Sequence, residues 1–396
     1  MKIVRLVASI AFASGLCALW RPAAVQAKTY KVSPGGSIQA AVDQASAGDT
    51  VKVSPGDYYA VPGGTAAVYI TKPIKLVAKS KISKGIRVTI HPDAGGTVQQ
   101  GILVEPAHDG DPDIEGLMIK GFTVQGFAKN GIWLKHVDKF KIQGNESIDN
   151  LENGIWPTLS ANGQVKKNVA YGSQDSALWV EASENVRVLK NELANSPTGL
   201  EITISKDIQV MKNDIHDNTV GIGLYHPSAA GLPYSDAKQP IGNWTISGND
   251  VYDNNAPNTA PPGSMSAALP TGGGILVLGA DNVTIEKNTI ANNGFYGVGV
   301  VDYCVAIGLL GGSTFDCSIN PPPVESAPDN DLVEKNTFTS NGTAPQTPPF
   351  NLLAADMALL APGDPPYSLP GTNDCFQNNT PTTAKFVHPF SSNQCM

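Results

Sequence analysis

Three tryptophans, Trp133, Trp156 and Trp179, recur at 23-residue intervals, each in a short motif of alternating apolar residues. Successive side chains of a strand point to opposite faces, so if their apolar neighbours face a core, all three indoles lie outward in one row. A row of exposed indoles offers flat apolar surfaces with one polar edge, which suits stacking on sugar rings. Nearby outward positions carry Lys135, Glu181, Glu201 and Tyr225, with His226 just past the strand. A Lys, His or Arg can take a proton from carbon next to a carboxylate, and a Tyr or Glu can donate one. Arg187 joins these catalytic candidates as the only arginine within the repeats. Glu181 and Glu201, on neighbouring repeats, also raise inverting hydrolysis, which needs carboxyl groups ~6.5–9.5 Å apart.

A second row is basic: Lys141, Lys166, Lys167, Arg187, Lys190 and Lys212 in an otherwise acidic chain. Stacked cations would suit a polyuronate, so Lys141, Lys166 and Lys190 are substrate-binding candidates; the simpler reading is that they blunt strand edges and solvate the surface. The run Asp109-Gly110-Asp111-Pro112-Asp113-Ile114-Glu115 alternates four carboxylates, a pattern suited to calcium, whose coordination needs six to eight oxygens. It lacks the twelve-residue calcium-loop pattern, and a solvated turn is the competing reading.

These side chains line up only if the chain repeats, and it does. A small residue followed by apolar-x-apolar occurs at Gly131, Gly154, Ala177, Gly199, Gly221, Gly274 and Gly297. A second motif, an alternating strand ending in Asn, places Asn at 145, 168, 191, 213, 249, 288 and 336, with another Asn at 150, 218, 254, 293 and 341. Units of 22 to 23 residues holding strands of three to five cannot close a core alone, but they can stack. The pattern predicts an all-β parallel solenoid with coils ~4.8 Å apart and inward Asn amides bonded along its axis. The later, longer spacings put insertions at 226–242, 255–273 and 303–331, and loops stacked on a rigid rod are where such folds make clefts. Ser37 is an N-cap for a short helix through Ile38, Ala41, Val42 and Ala45, ended by Gly48, which would cover the first coil.

With Ser37-Ile38-Gln39-Ala40-Ala41-Val42, Ala47-Gly48-Asp49-Thr50-Val51 and Pro55-Gly56-Asp57-Tyr58 ahead of the Asn-ended repeats, the chain resembles the secreted right-handed parallel β-helix proteins of the pectin-lyase-like superfamily. The resemblance covers most of residues 30 to 341. It implies that fold and a choice among polysaccharide lyases, glycoside hydrolases, uronate epimerases and proteins with no known reaction. The adjacent Asp pair, Gly-His-Gly and Arg-x-Lys of the hydrolases do not occur. The epimerases' Asp-Pro-His-Asp survives only as the fragment Asp111-Pro112-Asp113.

Composition sets the remaining limits. The 396 residues include 40 Gly and 30 Pro, with 16% charged, which excludes a helical bundle and suits short strands joined by turns. A net charge of -8 argues against nucleic acid or acidic membranes as partners. Lys2 and Arg5, the apolar run Leu6–Trp20 and the small-residue site Val25-Gln26-Ala27 predict a secretory signal over residues 1–27. No other stretch approaches the ~20 apolar residues of a membrane helix. The expectation is a secreted or periplasmic monomer with a β-helix over 28–341 and a tail over 342–396. Of three pairings among the four remaining cysteines, the local ones are favoured, Cys304 with Cys317 and Cys375 with Cys395.

Function is then expected to be engagement of an extended, acidic polysaccharide along the tryptophan row, with lyase-type β-elimination as the leading chemistry and calcium as the candidate cofactor. A non-catalytic binding or metal-accessory protein and a glycoside hydrolase are the alternatives.

Overall fold

The computed structural model describes residues 26–309, 322–344, 354–360, 373–381, 384–386 and 394–395. The predicted signal therefore falls almost wholly outside the described residues, as does Cys317.

Among the described residues, three long sheets of thirteen, ten and eleven strands run the length of the rod. Pairing is parallel throughout except where Cys375–Gln377 meets Gln394–Cys395. Each coil gives one strand to each sheet, and side chains alternate. In Ile132–Lys135, for example, Ile132 and Leu134 are buried, while Trp133 and Lys135 are half-buried on the outer face. The inward Val, Ile, Leu and Phe rows merge into one continuous core. Burial of that stacked apolar interior is the main stabilising term for coils with no core of their own.

The Asn ladders form as expected. Asn145 Nδ2 donates to Asn168 Oδ1 at 3.0 Å, Asn168 to Asn191 at 3.0 Å, and the row continues through Asn213, Asn249, Asn288 and Asn336. The second row runs Asn218, Asn254, Asn293 and Asn341; Asn150, expected in it, bonds Val124 O and Ser147 Oγ instead, because Ser173 and Ser196 hold its position on the coils between. Each amide also reaches a backbone carbonyl of another coil, as Asn168 does with Ile142 O at 3.1 Å, so turn backbone is satisfied inside the core.

The basic row has a turn explanation. Lys167, Lys190 and Lys212 each precede a ladder Asn with φ of 54–56°, the position that Gly144 and Gly248 hold on other coils. They are corner residues of the solenoid, and their side chains extend into solvent.

The cap helix spans Ile38–Gln44, with the Ser37 hydroxyl accepting from Ala40 N at 3.1 Å and Ile38 and Val42 buried against the first coils. It stops one residue short of the expected Ala45, which is extended and serves as C-cap; Gly48 instead takes φ 85° in the following turn. At the other end strand pairing does not stop at 341: Ala355–Leu360 pairs with Tyr296–Val301 and Cys375–Gln377 with Leu332–Glu334. The segment after 341 thus supplies further coils where a tail packed on the rod was expected. Cys375 is in register with Cys395. No helix among the described residues is long and apolar enough to cross a membrane.

Candidate functional site

The row expectation holds in register and fails in surface. Trp133 pairs with Trp156, and Trp179 follows on the next coil, opposite Glu201. Consecutive ring centroids are 4.8 and 5.2 Å apart at 8° and 13°, so the indoles stack on one another. Identical aromatics on coils one strand spacing apart occupy each other's faces, which corrects the sequence reading of three free sugar platforms. Lys135 further lies over the Trp133 ring at 5.2 Å. Indole N–H groups reach one coil forward: Trp133 donates to Thr158 Oγ1 at 3.2 Å and Trp179 to Thr203 Oγ1 at 2.9 Å. On the coil between, that acceptor position is Glu181. The Trp156 indole nitrogen and Glu181 Oε2 are both buried without another partner, and the indole favours the carboxylate.

Past Trp179 the row continues as Glu201, Gly223 and Leu276, so the stack ends and room opens. A Cβ on Gly223 would meet the Tyr225 ring at 2.2 Å; the ring lies across that glycine. Above this gap the three insertions converge. Ala229–Gly231 from the first, Ser264–Leu269 from the second and Ile307 from the third roof a cavity of about 170 Å³. Its floor is Trp179, Glu201 and Tyr225, with Asp175 at the side. The first roof segment sits directly on the tryptophan, because a Cβ on Gly231 would lie 2.7 Å from Trp179 Cη2.

Three carboxyls gather here. Glu201 is 4% exposed, and burial, then the neighbouring Asp175 charge, push its pKa well above the ordinary carboxylate range; the Ser176 hydroxyl donates to its Oε2 at 2.5 Å. Asp175 is half-buried, raised by burial, and held by the Ser266 hydroxyl from the second insertion. Glu181 is fully buried and pushed up to about 7 by burial, although its Oε1 accepts from Gly231 N at 2.6 Å and Leu232 N at 2.7 Å. Glu181 and Glu201 stand on adjacent strands two positions apart in register, a Cα separation of about 8 Å from strand spacing and rise. The Tyr225 hydroxyl lies 3.5 Å from Thr198 Oγ1, and burial raises its pKa.

The structure separates the remaining candidates from this cavity. Arg187, Lys141 and Lys166 belong to the thirteen-stranded sheet, while the cavity lies on the eleven-stranded one, and Lys190 is at the corner after Arg187's strand. Lys135 is on the right face but several coils away and paired with Glu105 at 3.0 Å. His226 is fully buried: its Nδ1 accepts from Ser228 N, its Nε2 donates to Glu325 O at 3.0 Å, and it stacks on Tyr303 at 4.6 Å. Burial lowers its pKa to about 4, so it fastens a loop and is not a free base. Of the acidic run, Asp111 accepts from His108 N, Asp113 faces His136 at 3.5 Å and Glu115 pairs with Lys139. Among the described residues no three of Asp109, Asp111, Asp113 and Glu115 bring their carboxylate oxygens within 4.8 Å of one another.

Sequence reasoning missed Asp175, Ser176 and Ser266. Asp175 reads as an ordinary turn acid, and Ser266 reaches it across 91 positions, a contact with no local signal.

Residues 100–256 match a family model described as "Right handed beta helix region". Among solved structures, the A-module of the mannuronan C-5 epimerase AlgE4 from Azotobacter vinelandii is similar over 90% of this chain and 94% of its own, with a TM-score of 0.57 at 16% identity. The DFA-IIIase of Arthrobacter chlorophenolicus A6 is similar in its complex with GF2 (92% of this chain, 90% of its own, TM-score 0.55, 12% identity). Its complex with DFA-III gives 92%, 86%, 0.55 and 13%. No curated protein sequence matches the chain. The sheets, ladders and cap helix, with these likenesses, make the chain a right-handed parallel β-helix.

Proposed function

We propose that the protein is a carbohydrate-active enzyme whose roofed cavity performs carboxyl acid–base chemistry at a glycosidic bond. The observation that carries this reading is the convergence of three insertions over Glu201 and Asp175 beside the last indole face, that of Trp179. A carboxyl so deeply buried holds its proton to a higher pH than an exposed one and can give it to a leaving oxygen. Glu201 is that acid, and Asp175, half-exposed and stabilised by Ser266, is the base or nucleophile. Ser176 orients Glu201, and Glu181 positions the roof through Gly231 and Leu232. Trp179 supplies one apolar platform, and about 170 Å³ suits a ring held singly better than a long polymer.

Acid–base cleavage is favoured over β-elimination because, among the described residues, no lysine, arginine or histidine lines the cavity to take the α-proton and offset enolate charge. The solved structures of similar fold act in the same area of chemistry by their names: an epimerase of mannuronan, and DFA-IIIase held with GF2 or DFA-III. The test is product analysis with the mature protein on mannuronan, polygalacturonate, GF2 and DFA-III. New reducing ends or rearranged oligosaccharides without ultraviolet absorbance support the proposal. A rise in absorbance from unsaturated uronate means elimination and overturns it. Binding with unchanged sugars returns the chain to the non-catalytic class.

A further inference from the structure

One group of acidic side chains among the described residues brings its carboxylate oxygens within 4.8 Å of one another: Asp281, Glu325 and Asp329. They come from two parts of the chain. Asp281 precedes strand Val283–Glu286, Asp329 precedes Leu332–Glu334 on the next coil, and Glu325 belongs to the third insertion. Asp329 N donates to Asp281 Oδ1 at 3.0 Å, which holds the two coils in register.

Two more carboxyls approach from inside the solenoid. Asp331 and Asp374 accept the backbone N–H of the coil before, Val283 N at 2.8 Å and Asp331 N at 3.0 Å. Serines do this on earlier coils, as Ser183 does for Ser160 N, and such a serine then donates its own proton to a carbonyl, Ser183 to Glu181 O at 2.8 Å. A carboxylate has no proton to give. Among the described residues the Oδ2 atoms of Asp331 and Asp374 are accordingly buried with no hydrogen-bond partner, in residues only 3% and 0% exposed. Asp331 follows Asp329 by two residues and accepts from Val283, two residues after Asp281, and Asp374 accepts from Asp331 N, so the orphan oxygens neighbour the same site. No ion pair to lysine or arginine reaches Asp281, Glu325, Asp331 or Asp374 among the described residues. Buried like charges persist when protonated or when a cation binds them.

We propose that Asp281, Glu325 and Asp329, backed by the buried Asp331 and Asp374, form a calcium site that ties three successive coils to the third insertion. The donors are all hard oxygens, with no imidazole or thiolate to select zinc or copper. Their irregular origin suits calcium's flexible coordination better than magnesium's strict octahedron. Glu325 is also the residue whose carbonyl holds His226, and the adjacent Ser326 donates to Asp302 Oδ2 at 2.8 Å. The ion therefore braces the segments behind the cavity roof without entering the cavity, and the site stands independently of the reaction proposed above.

The test is calorimetric titration of the mature full-length chain, stripped with chelator and dialysed, with calcium chloride, followed by thermal unfolding with and without the ion. One calcium per chain and a raised midpoint are expected. Glu325→Gln, an exposed change with little risk to folding, and Asp281→Asn with Asp329→Asn weaken binding at least about tenfold, the scale on which even outer-shell partners act. Asp109→Asn with Asp111→Asn leaves it intact. Absence of calcium binding by the wild-type chain overturns the proposal, and so does binding that survives Glu325→Gln and the double variant unchanged.

Discussion

Two groups of buried carboxyls lie on this rod, and they differ in what their oxygens touch. In the cavity, Glu201 receives Ser176, Asp175 receives Ser266, and Glu181 receives two backbone amides. Around Asp281, Asp331 and Asp374 each accept one backbone N–H through Oδ1, but among the described residues their buried Oδ2 atoms receive nothing. Burial raises pKa values in both places, to about 7 for Glu181 and likewise for Asp281 and Asp374. A shifted pKa alone therefore does not distinguish acid catalysis from cation binding. The donors do: oriented hydroxyls and amides stabilise a group that must hold and release a proton, whereas orphan oxygens facing like charges await a positive ion.

The largest effect that would sharpen this contrast is on turnover. Glu201→Gln is expected to lower kcat by about 10²–10⁴-fold, the range for loss of a general acid, with calcium binding untouched. Steady-state rates on whichever sugar gives product measure it; unchanged kcat would place the chemistry elsewhere.

Next in size is the roof. Glu181→Ala leaves the Gly231 and Leu232 amides without their acceptor and is expected to cost about 1–3 kcal/mol in denaturant unfolding, while Glu181→Gln recovers most of it through its retained oxygen.

A smaller effect is the pH profile of stability. Glu181, Asp281 and Asp374, raised to about 7, keep protons in the native state that the unfolded chain has already lost. Stability therefore falls as pH rises from the ordinary carboxylate range toward 7 in chelated protein. His226, lowered to about 4, acts oppositely: below its ordinary 6.5 the unfolded chain takes up a proton that the native state refuses, so stability falls with pH toward 4. Calcium, by holding Asp281 and Asp374 ionised, is expected to flatten the first slope and leave the second. Unfolding midpoints across this range, with calcium and with chelator, measure both arms.

Smallest of all is Arg187→Ala, on the opposite sheet and exposed, expected to change stability by no more than about 0.5 kcal/mol and to leave turnover as it was. A large loss of activity there would restore the basic row as a substrate track.

Much of this was open to reading from the sequence alone. The 23-residue recurrence specified stacked coils, because identical side chains at identical phase can only superpose when each coil pairs in parallel with the next. The Asn rows, the tryptophan register and the positions of the three insertions follow from that one period, and the cap at Ser37 from its N-cap chemistry. Tertiary structure decided what the period is silent on. The indoles cover one another because a strand spacing is close to a stacking distance, and this was the wrong half of the sugar-platform expectation. Loops that break the repeat have no phase, so the meeting of Ser266 with Asp175, and of Glu325 with Asp281, is not encoded in any spacing. Of the acids close in sequence, Asp111, Asp113 and Glu115 found separate local partners; those that gathered join Glu325 and Asp329 to the distant Asp281. Periodic contacts are specified by local sequence because every coil repeats the same bargain with its neighbour, whereas the sites depend on where irregular chain happens to close over that regular surface.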